Sequence, residues 1–419
     1  MMKMMKMSML AAIATMSGIA LADVSVDNIV CTQRYPWNGL VDIDYTIACD
    51  DPNAEIYVNP VGFNGDTGLT VFPTHFTGDG ATNTVKAGRH RMVWDAKADM
   101  GAFSSKNFQI KMYAGKELSR YIVIDISGGT NATNFAIRRS IEGPNLDDDT
   151  CRTTEIWMRL IPPGTFMMGS PTNELGRSDN EDLHKVTITR PFYIGVFEVT
   201  QKQWELVKGD RPSAYTNDDV YATMPVERIR SREMKCQSGL SGSTCDADSF
   251  IGLIRSKTKK HGFDLPTEAQ WEYACRAGTV MALTSGEDLM GTTGCSNLEK
   301  LGRYSQNGSC PAKVGSYLPN RVGLYDMLGN VREYTSDGYV DHLGAFELKD
   351  PHFTTKYVSG NWASSYRQVL KGGAWNDHAS ACRSGWRYEY EHYRSQSGDN
   401  YWPQNNVGFR LYSTGNLQQ

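Results

Sequence analysis

From residue 24 to residue 128 the chain repeats one pattern: short runs rich in Val, Ile and Tyr, cut by Gly, Asn and Asp. The runs are VSVDNIVC, LVDIDYTIA, EIYVNPVGF, HRMVWDA, NFQIKMYA and YIVIDIS. Where apolar and polar positions alternate, as in LVDIDYTIA, one face of a strand meets a core and the other meets water. Six such runs with turn signals between them predict an all-β sandwich over residues 23–128. Residues 129–151 are polar and turn-rich and read as a linker. From 152 to 414 helical patterning is sparse. Thr200 with Gln203 precedes WELVKG, and Thr267 with Gln270 precedes WEYACRA, and each pair has the spacing of a capping box. Trp271, Ala274 and Cys275 then fall on one helical face. The remainder reads as short strands and long loops, so the second domain is α+β.

Residues 1–22 break both patterns. Lys3 and Lys6 precede an apolar run that ends at Ala20-Leu21-Ala22. That is the layout of a signal peptide, and it predicts a protein exported from Asp23 onward to the periplasm, cell surface or medium. No later run reaches the ~18 apolar residues of a membrane-spanning helix. A net charge of −4 offers no basic field for nucleic acid. Nine cysteines in an exported chain invite disulfides. The local pairs expected are Cys31–Cys49, Cys236–Cys245 and Cys295–Cys310, which leaves Cys151, Cys275 and Cys382.

Candidate chemistry concentrates after residue 320. In GLYDMLGNVREYTSD (323–337), Gly329 permits a tight turn, Asn330 offers an amide oxygen and Glu333 a carboxylate. With backbone carbonyls such as that of Val331, these are the oxygen ligands that calcium takes. Further on, Trp375, His378, Trp386, Tyr388, Tyr390, Tyr393 and Trp402 are interleaved with Asn, Ser, Asp and Gln. Large aromatic surfaces with short polar residues between them form a recognition composition. The same aromatics would equally serve as core packing.

Five segments occur in the order IPPGTFMMGS (161–170), LPTEAQWEYACRAGT (265–279), GLYDMLGNVREYTSD, LKGGAWNDHASACRSGWR (370–387) and NNVGFRLY (405–412). Together they resemble the formylglycine-generating enzyme, or sulfatase-modifying factor, family. The resemblance implies a C-type-lectin-like fold and a calcium site at the motif usually written GNVWEW, where this chain has Arg332 and Tyr334 for the two tryptophans. It also implies an active site of two cysteines, five residues apart, that hold Cu(I). Here Asp377 stands at the first position and Cys382 at the second, and Ala374 replaces a usual serine. Two thiolates are needed for linear Cu(I) coordination, so the resemblance argues against copper. Cys382 and Asp377 remain the candidate catalytic residues. Cys382 as a buried structural cysteine, bonded to Cys275, is the plainer alternative, and an iron site from Asp377, His378 and His392 is another. The reading that follows is an exported family member whose C-terminal groove binds a peptide, glycan or protein ligand. The alternatives are an active formylglycine-generating oxidoreductase and a diversified lectin-like binding protein.

Overall fold

The alternation in Leu40–Cys49 is realised residue by residue: Val41, Ile43, Tyr45 and Ile47 are buried, while Asp42, Asp44 and Thr46 are half-buried. The structure is a computed structural model that describes residues 24–415 apart from 37, 102–104, 218, 236–244, 355–364 and 394–402. The chain forms two units, one up to Tyr121 together with Arg139–Glu142, the other Ile122–Arg138 together with Gly143–Gln419.

The first unit is the expected all-β domain. One sheet has the order Val24–Gln33, Leu40–Cys49, Gly88–Asp95, Phe76–Gly78; the other has Leu69–Val71, Tyr57–Asn64, Phe108–Gly115. Ile43, Tyr45, Met92 and Trp94 from the first sheet share one core with Val58, Phe108, Ile110 and Met112 from the second. Trp94 stacks on Phe108 with ring centres 5.4 Å apart. The expected Cys31–Cys49 disulfide is excluded by register. Cys31 lies opposite Ile43 and Cys49 opposite Val24, at opposite ends of the same antiparallel pair. All described cysteines are unpaired. Cys236, and with it the expected Cys236–Cys245 pair, lies outside the described residues.

YIVIDIS does not close the sandwich. Tyr121–Asp125 sits in a six-stranded sheet ordered Phe263–Asp264, Tyr412–Thr414, Phe192–Gly195, Glu155–Ile161, Tyr121–Asp125, Ala136–Ser140. Its first four residues are all buried. An apolar run without alternation belongs inside a sheet covered on both faces, and the unbroken YIVI carries that signal. Ala136–Ser140, within the expected linker, is the next strand.

Two further sheets complete the second unit: Gly164–Met168, His184–Ile188, Leu348–Lys349, and Tyr388–Tyr393, Ser365–Lys371, Arg332–Gly338, Val407–Gly408. Both capping boxes form. Thr200 opens Gln201–Lys208 and Thr267 opens Glu268–Arg276, each with the reciprocal bonds of the motif. A third helix, Phe250–Thr258, is capped by Ser249 alone. Its third position is Gly252, so no box marked it in the sequence. The α+β class holds for this unit, preceded by the β domain.

Candidate functional site

Helix Glu268–Arg276 is almost wholly buried although it carries Glu268, Glu272 and Arg276. These glutamates are not the ordinary surface residues that helix position suggests. Glu268 accepts two bonds from Arg387, at 2.6 and 3.0 Å, and Glu272 accepts from Lys371 at 2.9 Å and Arg276 at 2.8 Å. Arg383 is held in the same way by Glu174 and Glu181. A buried charge is tolerable only when paired and fully hydrogen-bonded. These pairs tie the C-terminal loop 371–387 rigidly to the helix and to the loop 174–181.

The loop leaves the sheet at Lys371 and turns at Gly372 and Gly373, with φ of +91° and +74°. A Cβ on Gly373 would lie 2.7 Å from the Cys382 sulfur, so glycine there lets the backbone close over the thiol. Cys382 is fully buried. Burial, reinforced by the Asp377 carboxylate, pushes its thiol well above the usual range. Arg383 gives little relief, because its guanidinium is already claimed by two glutamates. Cys275 donates to Ser384 Oγ at 3.5 Å, and burial pushes its thiol up to about 12. The two sulfurs are not bonded to each other.

Asp377 faces the residue that stands in the family's tryptophan position. Arg332 Nε donates to Asp377 Oδ2 at 2.8 Å and Nη2 to Oδ1 at 2.5 Å. This fork-to-fork geometry is the strongest form of the pair. The guanidinium lies over the Tyr388 ring at 4.1 Å and the Trp386 ring at 5.6 Å. Those two rings stack with centres 5.6 Å apart and planes 25° apart. Arg332 N also donates to Asn406 O, and the Asn406 amide donates to Asn376 Oδ1. Residues from three distant segments thus converge on one ion pair.

The other expected contact residues divide. Trp375 stands edge-on to Tyr215 at 5.4 Å and donates to Asn405 O. His378 is exposed, with Nδ1 3.3 Å from Ser305 Oγ. Tyr390 is buried edge-on against Tyr334 and packs the core rather than presenting itself to a ligand. The side chains of Tyr393 and His392 and all of Trp402 lie outside the described residues. With Asp377 engaged, the iron alternative loses its carboxylate. Among the described residues no three His, Cys, Asp or Glu side chains converge as metal ligands.

The turn Gly329–Glu333 forms as expected, with φ of +88° at Gly329 and +62° at Asn330. The side-chain oxygens of Asn330 and Glu333 have protein partners. Asn330 Oδ1 accepts from Ala312 N, and its Nδ2 donates to Glu198 Oε2. Val331 N donates to Glu198 Oε1. Glu333 accepts from Arg410 at 2.6 Å on each oxygen and from Trp271 Nε1 at 2.7 Å. Both side chains that the calcium reading names are thus hydrogen-bonded within the protein. Two carboxylates that the motif reading passed over sit beside them. Burial, with the charges of Asp326 and Glu333, raises Glu198, and burial raises Asp326 to about 6. Asp326 Oδ1 has no partner among the described residues. Of the two thiolates that linear Cu(I) coordination takes, this chain has Cys382 alone, with Asp377 at the other position.

A β domain followed by an α+β unit whose five motifs are held by several buried ion pairs defines a sulfatase-modifying-factor class of protein. Residues 146–414 match the family described as Sulfatase-modifying factor enzyme 1-like domain, and the chain belongs to that family. It is 32% identical over 319 residues to the formylglycine-generating enzyme of Mus musculus, covering 67% of this chain and 82% of that one. It is 29% identical over 180 residues to chaperone protein LppX of Paenibacillus barcinonensis, covering 34% of this chain and only 61% of the relative. Among solved structures, Treponema denticola variable protein 1 superposes with a TM-score of 0.45 at 24% identity, over 62% of this chain and 96% of that one.

Proposed function

We propose that this chain is an exported, non-copper member of its family, a module that binds a peptide, glycan or protein ligand in the C-terminal groove. The Arg332–Asp377 pair carries the reading. A linear Cu(I) site needs two soft thiolates. Here the first position holds a hard carboxylate whose two oxygens are both occupied by a guanidinium, which leaves Cys382 as a single thiol. The half-buried Trp375, Trp386 and Tyr388 around the pair supply contact area at low entropy cost. Export rests on the Lys3, Lys6 and Ala20-Leu21-Ala22 pattern. The second reading, a formylglycine-generating oxidoreductase, is favoured by the relatives' names and would need a mechanism without a thiolate at 377.

Titration with Cu(I) against a colorimetric chelator tests the reading. The natural protein should not compete for the metal, and Asp377→Cys should. Tight Cu(I) uptake by the natural protein would overturn it.

A further inference from the structure

Resting on that binding-module reading, the geometry points to a neutral sugar ring as the ligand of the surface formed by Trp386, Tyr388, Asn376 and Asn406. Charge excludes the alternatives first. Arg332 and Asp377 neutralise each other through two bonds, and their side chains are only 11% and 13% exposed. A cationic ligand would have to displace Arg332, and an anionic one would have to displace Asp377. Either would strand a charge in a poorly hydrated place. A neutral ligand leaves the pair intact.

Shape comes second. Trp386 and Tyr388 stack with their planes 25° apart and are both half-buried, so part of each residue stays in contact with water. The part of this preformed aromatic pair that Arg332 leaves uncovered offers an apolar stacking partner to the C–H face of a pyranose. Ordering it costs little, since Arg332 already fixes both rings.

Polar complementarity comes third and is independent of the other two. Asn406 is 6% exposed, and its Oδ1 has no hydrogen-bond partner among the described residues, while its Nδ2 is spent on Asn376. Asn376 beside it is exposed. A buried acceptor left unpaired is costly, and a sugar hydroxyl is the donor that neutral ligands bring. A few amide groups beside an aromatic surface is the usual composition of a small-ligand site.

The test is calorimetric titration of the purified protein with four neutral hexaoses, those of glucose, xylose, mannose and N-acetylglucosamine, with hexagalacturonate and a neutral hexapeptide as controls. At least one neutral hexaose should bind saturably, with an affinity unchanged by added salt because no ion pair is made. Trp386→Ala should weaken it by roughly tenfold or more, and Trp386→Phe should recover part of the loss. Asn376→Ala, at an exposed position, should weaken it without changing the unfolding midpoint. Binding of the acid or the peptide alone would overturn the sugar assignment and leave the binding-module reading standing, as would silence from all four hexaoses. Cu(I) uptake by the natural protein would instead remove the reading beneath it.

Discussion

Arg332 and Asp377 stand at the two places where this chain departs most tellingly from its family's motifs, and they bond to each other through both carboxylate oxygens. Neither side chain is more than 13% exposed. One substitution therefore compensates the other: a guanidinium without Asp377, or a carboxylate without Arg332, would be buried without a partner. Asp377→Leu and Arg332→Met should each destabilise the fold by about 2–3 kcal/mol, below the full value for wholly buried pairs. The double variant should lose less than the sum by at least about 1 kcal/mol. Urea unfolding of the four proteins measures this. Additive losses would mean that the pair is incidental.

A second expectation concerns Cys382. The thiolate is the reactive form, and burial with Asp377 nearby opposes it. In the folded protein at pH 8, Cys382 should resist iodoacetamide and be alkylated only after denaturation. Peptide mapping by mass spectrometry reads this out. Rapid labelling of the native protein would restore Cys382 as a candidate nucleophile.

Much of this arrangement was legible in the chain, and what was not has one physical cause. Helix starts are local: Thr200 and Thr267 each cap with a residue three positions on, so spacing alone located them. The alternation in Leu40–Cys49 likewise named its buried face. Partners distant in sequence leave no such mark. Arg332 meets Asp377 across 45 positions, and Asn330 meets Glu198 across 132. Read locally, nothing in the chain shows which protein donors the Asn330 and Glu333 side chains meet. Folding commits them to Ala312, Arg410 and Trp271. Tyr388 and Tyr390 lie two positions apart on the same face of one strand, yet the first is half-buried and the second packs the core, a difference that local pattern does not carry.

Glu227 makes a third expectation, on pH. One of its oxygens holds the backbone N–H groups of Ala214 and Tyr215, the other has no partner among the described residues, and burial raises the carboxyl from 4.5 to about 7. The folded protein holds this proton more tightly than the unfolded chain. The stability it contributes is therefore complete below pH 4.5 and is lost as pH rises through about 7. Roughly 2–3 kcal/mol is at stake. Glu227→Gln keeps an acceptor for the two N–H groups and cannot ionise. It should remove that share of the pH dependence and be the more stable protein at pH 8. A variant whose pH–stability curve parallels the natural one would contradict this.

Calcium gives a fourth. With the Asn330 and Glu333 side-chain oxygens engaged by protein donors, the thermal unfolding midpoint should be the same in EDTA and in millimolar calcium. A rise of several degrees, abolished by Asp326→Asn, would show instead that Glu198, Asp326 and Glu333 exchange their protons and Arg410 for an ion.

If the Arg332–Asp377 pair stands in place of a copper–thiolate site, this protein does not oxidise a peptide cysteine. The most direct measurement is mass spectrometry of a cysteine peptide carrying a sulfatase motif, incubated with the purified protein, oxygen, a thiol reductant and Cu(I). A copper-active family member run alongside should convert the cysteine to formylglycine, while this protein should leave the peptide mass unchanged. Conversion by this protein would contradict the claim and require an oxidation that proceeds with Asp377 in place of a cysteine.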